Sequence, residues 1–148
     1  MFSKEVAKEL KKEFWIQFSK DYPKKWLLHN TKIKDVALKF IVDNKKVGVA
    51  FSIENKDDDK RKIYFEKLLS LKNIIIDEYF PEIFFEENVY LPESNRYISN
   101  MHVSLENVTL HNKNHWKEIF NFFNENMIKM ENFFYEYENY IKDLNTNI

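Results

Sequence analysis

Three residues combine side-chain types and a spacing that could do chemistry: Asp35, Glu54 and Lys56. They flank two alternating apolar runs. Val36, Leu38, Phe40 and Val42 form one row, Val47, Val49, Phe51 and Ile53 the other, and Asp43–Lys46 lie between. Alternation of this kind, broken by a polar turn, predicts a β-hairpin. Placing Val42 opposite Val47 sets Phe40 against Val49 and Leu38 against Phe51, a consistent core face. The same register sets Asp35 directly across from Glu54, with Lys56 two residues further on the same face. Paired carboxylates hold a divalent cation, and a lysine beside them helps a water lose its proton for phosphodiester cleavage. Like charges directly opposite destabilise a ribbon that lacks a counter-ion. The pattern therefore asks for Mg²⁺, held by Asp35 and Glu54, or for a nearby lysine.

Other chemistry is thinner. Facing away from the apolar rows, Ala37, Gly48, Ala50 and Ser52 are small. Either a helix packs closely there or a groove remains. A groove flanked by Lys39, Lys56, Lys60 and Arg61 suits an anionic partner, nucleic acid included. His111 and His115 stand four apart, a spacing that binds metal on a helix. Asn112 or Asn114 reads as a cap between them, so they do not share a regular helical face. With a single glycine inside a strand, no glycine-rich phosphate loop can be built. With no cysteine, disulfides and thiolate metal sites are excluded.

The elements that must position these residues follow from periodicity. Phe2, Val6, Leu10, Phe14 and Phe18 recur every fourth residue, the stripe of an amphipathic helix with Ser3 as its cap. Pro23 forbids that helix past Asp21. Asp57–Asp59 open a second helix, with Tyr64, Leu68, Leu71, Ile75 and Tyr79 as its stripe, and Pro81 closes it. Ile83–Leu91 and Arg96–Leu105 read as a second hairpin, although Glu86, Glu87 and Asn88 weaken its first strand. The last helix, Lys113–Asp143, would reach about 45 Å at roughly 1.5 Å per residue. Its seam, Trp116, Phe120, Phe123, Met127, Met130, Phe134, Tyr137 and Ile141, alternates steps of four and three. Two readings follow. The helix lies across the sheet and the first helix, or Phe123, Met127, Met130, Phe134 and Tyr137 form a homodimer or dock a protein partner.

These elements make an α+β fold: helix, β-hairpin, helix, β-hairpin and long C-terminal helix, an antiparallel sheet covered by helices. The 148 residues suit a single domain, 1–148. Hydrophobic residues are 44% and charged residues 32%, a globular balance. No stretch approaches the roughly 18 apolar residues of a membrane span, and the N-terminal residues do not resemble a signal peptide, so a cytoplasmic protein with no membrane partner is expected. The net charge of −1 argues against nonspecific nucleic-acid binding by the whole surface. Residues 1–62 nevertheless carry +6 and residues 63–148 carry −7, which could concentrate a basic face.

Several ordered strings resemble the bacterial domain of unknown function 4268 family. They are "EFWIQFSK" at Glu13–Lys20, the Trp26 segment with "KIKDVALKF" at Lys32–Phe40, and "IYFEKLLSLK" at Ile63–Lys72. "VTLHNKNHWKEIFNFF" running into "MENFF" completes the set at Val108–Phe134. The resemblance covers nearly the whole chain and implies no established activity. Family members occur alone or behind a nuclease-like N-terminal part, which implies a DNA-related or defence setting. An acidic residue common in the family falls at Ser52 here, and a common Arg falls at Asn100. Separately, an acid facing acid-x-Lys is the arrangement of PD-(D/E)XK nucleases. The expectation is thus a non-catalytic binding or accessory module without a cofactor. The alternative is a metal-dependent nuclease, active or degenerate, with Asp35, Glu54 and Lys56 as its catalytic residues.

Overall fold

The computed structural model describes residues 3–144. In chain order the elements are α1 (Lys4–Asp21), β1 (Val36–Val42), β2 (Lys46–Ile53), α2 (Asp58–Ser70), α3 (Lys72–Glu78), β3 (Phe84–Leu91), β4 (Arg96–Glu106) and α4 (Trp116–Lys142). A 3₁₀ turn at Lys113–His115 leads into α4. The four strands form one antiparallel sheet in the order β1-β2-β4-β3. This is the α+β architecture that the periodicity requires.

Register follows the side chains. Val42 pairs with Val47, Phe40 with Val49, Leu38 with Phe51 and Val36 with Ile53. On the next strand Phe51 meets Met101, and Met101 meets Phe85, so one apolar row crosses all four strands. Every ring contact between a helix and the sheet, among the described residues, falls on this face. Trp15, Phe18 and Phe123 pack on Phe40, Phe133 and Phe134 on Phe51, and Phe65 on Phe85. Each large apolar side chain buried there contributes about 1.5–3 kcal/mol.

The seam of the long helix faces inward within this chain. Phe123, Met127 and Met130 are 0% exposed and Phe134 is 1% exposed, all within this chain's own core. Tyr137 is half-buried and packs on Phe133. Within this chain the seam packs on the sheet and α1, the first of the two arrangements. The wide aromatic surface is the reason: α4 covers a sheet, which is broader than a single facing helix.

Three boundaries differ from the periodicity. The second helix breaks at Leu71 into α2 and α3. Ser70 Oγ donates to the Lys67 carbonyl at 2.6 Å, and the Leu71 N–H turns back to the Leu68 carbonyl at 3.0 Å. A serine competing for a helix carbonyl in this way bends the chain. In α1 only Phe14 and Phe18 are buried, while Val6 is 49% exposed, because the first turns run beyond the core. Phe2 lies outside the described residues. β3 carries a bulge between Glu86 and Val89, where polar residues interrupt the apolar alternation.

Candidate functional site

The face of the sheet opposite the apolar row is polar. Ser52 pairs with Ala37 on β1 and Asn100 on β4, and Asn100 with Glu86 on β3. One row along, Ala50 pairs with Lys39 and His102, and His102 with Phe84. Ala37, Ala50 and Ser52 are buried all the same, at 3%, 1% and 1% exposure. Long polar side chains on the same face flank them.

Glu54 organises this face. Its Oε2 accepts from Ser52 Oγ at 2.8 Å and forms an ion pair with Lys39. Arg96 donates to the Glu54 carbonyl at 2.7 Å and places its guanidinium 3.7 Å from Oε1. Burial alone would raise the carboxyl's pKa. The hydrogen bonds from Lys39 and Ser52, with the charges of Lys39 and Arg96, outweigh it and hold the group below its usual 4.5. Further along, His102 Nδ1 lies 2.9 Å from Asn100 Oδ1 and 3.7 Å from Glu86 Oε1. Burial, aided by Lys46 and opposed by Glu86, pushes the imidazole pKa down from 6.5.

Asp35 falls one residue outside β1, contrary to the expectation of a strand residue facing Glu54. Its backbone carbonyl does accept from Glu54 N–H at 2.7 Å, so the register extends that far. Its φ is +64°, however, in the left-handed region that ordinary side chains seldom adopt. The chain is turning there from the Thr31–Lys34 connector into the strand, with Thr31 Oγ1 bonding the Val36 carbonyl at 2.7 Å. Asp35, Glu54 and Lys56 still line one cleft of about 480 Å³, together with Lys34, Asn55, Lys60, Tyr64 and Arg96. Among the described residues, no group of three or more His, Cys, Asp or Glu side chains could hold a metal ion.

The expected anion-binding cations separate. Lys39 is committed to Glu54. Arg61 is 7% exposed, donates to the Asn55 carbonyl at 3.2 Å and pairs with Asp58 at 2.8 Å. Of the four, Lys56 and Lys60 reach the cleft without an ion pair among the described residues. His115 is spent on its loop, accepting from Thr109 N–H at 3.1 Å.

Sequence reasoning passed over Arg96, Asn55 and Lys34. Arg96 had a signal, since β4 alternation puts it on the side of Asn100 and His102, the face that also carries Glu54. Ser52 and Asn100 turn out to be direct cross-strand partners.

A four-stranded antiparallel sheet, its apolar face packed by a long C-terminal helix, defines an α+β protein with a polar second face. The chain belongs to the family described as a domain of unknown function, DUF4268, whose family model matches residues 10–138. No curated protein and no solved structure matches it.

Proposed function

We propose that this chain is a non-catalytic binding module of the cytoplasm, working in a DNA-related or defence setting, with its polar sheet face and adjoining cleft as the recognition surface. The observation that carries this reading is the state of Glu54. A metal ligand needs lone pairs free to coordinate, and this carboxylate is already engaged by Lys39, Ser52 and Arg96. Asp35, its expected partner, stands on a left-handed turn. The two acids serve as a structural charge cluster and a loop residue, and no cofactor is required.

The alternative, a PD-(D/E)XK-like nuclease using Mg²⁺, draws support from one observation: Asp35, Glu54 and Lys56 line the same cleft. Incubating the purified protein with supercoiled plasmid and Mg²⁺ or Mn²⁺, beside a Glu54→Ala variant, separates the two. Plasmid left intact by both proteins is the expected result. Cleavage by the parent protein that disappears in the variant would overturn the binding-module reading.

A further inference from the structure

We propose that the groove beside the C-terminal part of β4 takes an extended segment of a protein partner, added as a further strand and carrying an apolar–basic–apolar run of side chains. This goes beyond the reading above and does not rest on it. Hydrogen-bonded rows alternate along an antiparallel pair. Asp43 N–H donates to the Lys46 carbonyl and Glu54 N–H to the Asp35 carbonyl, so the even-numbered residues of β2 bond toward β1 and the odd-numbered ones toward β4. On β4, Val103 and Leu105 lie opposite Val49 and Val47 and are spent on β2, while the even-numbered residues turn toward β3. β3 begins at Phe84, opposite His102. The backbone N–H and C=O of Ser104 and the N–H of Glu106 therefore face a position that no strand fills, and both residues are exposed. A turn closed by Ile83 N–H on the Phe80 carbonyl at 3.2 Å, with Pro81 inside it, carries the chain away from that position. The outer edges of the sheet are better guarded. Leu28 and Thr31 take the Leu38 N–H and the Val36 carbonyl of β1, and the bulge interrupts β3. A cavity of about 610 Å³ occupies the vacant position.

The walls set the pattern of the partner. Side chains directly opposite each other on paired strands share a face. Residues set against Val103 and Leu105 point toward α4, where Phe80 and Phe122 line the cavity, so these two positions suit apolar side chains. The residue between them is set against Ser104 and points to the polar face. Its neighbour along the strand line is Phe84, which is 57% exposed, and its diagonal neighbour is Glu106, which makes no ion pair among the described residues. An open aromatic ring and an uncommitted carboxylate suit a lysine or arginine. The wider charge agrees. Glu82, Glu86 and Glu106 line the cavity against Lys46 and Lys129, and His102, its pKa pushed below 6.5 by burial, adds no charge at pH 7. The excess of carboxylates favours a basic segment.

The test titrates the full ¹⁵N-labelled chain with a panel of short peptides, each holding a lysine between two residues drawn from Val, Ile, Leu and Phe in a Ser/Thr background. At least one should shift the Ser104 and Glu106 amides and slow their exchange with solvent. Methylating the backbone nitrogen of the peptide lysine, which donates to the Ser104 carbonyl, should weaken that peptide by about tenfold or more. Methylating the nitrogen of the next apolar residue, which faces outward, should cost little. Glutamate in place of the lysine should weaken binding, and so should Phe122→Ala. A panel that leaves both amides unmoved at millimolar concentration would overturn the inference. So would two methylated peptides that bind alike, or a glutamate peptide that binds as well as the lysine one. Amides of Ser104 and Glu106 that gain protection in the free chain as its concentration rises would put a second copy in the groove and overturn the assignment to another protein. Plasmid cleavage would leave the inference standing, and unmoved amides would leave the non-catalytic reading intact.

Discussion

Two titratable groups on the polar face should act in separate pH windows. Glu54 has its pKa held below 4.5 in the folded protein. The unfolded chain therefore takes up that proton first, and the stability the cluster supplies is present above 4.5 and lost as pH falls through the folded value. His102, buried and held below 6.5, gives the same sign at higher pH. The unfolded imidazole charges first, so stability declines as pH drops below 6.5. Urea midpoints measured from pH 7 downward should show both slopes. His102→Gln should flatten the upper one alone. Glu54→Gln should flatten the lower one and cost about 1–3 kcal/mol at neutral pH, since charge-assisted hydrogen bonds are lost. A Glu54→Gln protein with the parent's acid profile would show that the cluster carries no pH-linked stability. The sequence disclosed Glu54 and its neighbour Lys56, but not that Lys39 and Arg96 would neutralise the acid. That outcome depends on cross-strand rows two pairings away, and the second pairing could be placed only loosely.

At the scale of elements, alternation made the first hairpin legible to the residue, because a slip by one would turn every apolar side chain to the other face. Asp35 escaped this logic, since the alternation ends at Val36 and nothing beyond it fixes φ. The break at Leu71 was likewise invisible. Ser70 reaches Tyr140 on α4 at 2.7 Å as well as the Lys67 carbonyl, and no local rule foresees a contact seventy residues away. The second hairpin was readable in outline, and its polar interruption marked the bulge. One strand position has a consequence of its own. A Cβ built on Gly48 would stand 2.9 Å from the Val103 carbonyl oxygen, a backbone atom of the neighbouring strand that cannot swing aside. Gly48→Ala must then push β2 from β4 in the middle of the sheet. The expected cost is about 1–3 kcal/mol, seen as a lower urea midpoint at unchanged slope. An alanine protein as stable as the parent would mean that the two strands are looser than this spacing requires.

For the whole molecule, the deciding quantity is what remains on the outside of α4. A heptad seam in isolation suggests self-association, because its apolar edge must be buried somewhere. Here Phe14, Phe18, Phe40 and Phe51 receive that edge, with ring centroids 4.8–6.3 Å from Phe120, Phe123, Phe133 and Phe134. Among the residues of α4, Tyr135 is the large hydrophobic that stays exposed, at 55%. A lone tyrosine falls far short of the roughly 800 Å² per partner that a stable dimer buries. Dimerising through the seam would require α4 to leave the sheet, and exposing Phe123 alone forfeits about 3–5 kcal/mol on the scale of large core deletions. Light scattering at two widely separated concentrations should therefore return a mass near 18.2 kDa at both. Phe123→Ala should lower the unfolding midpoint without changing that mass in the folded protein. A mass that doubles with concentration, and reverts to monomer when Phe123, Met127 or Met130 is replaced, would mean that the seam opens in solution and that its partner is a second copy of this chain.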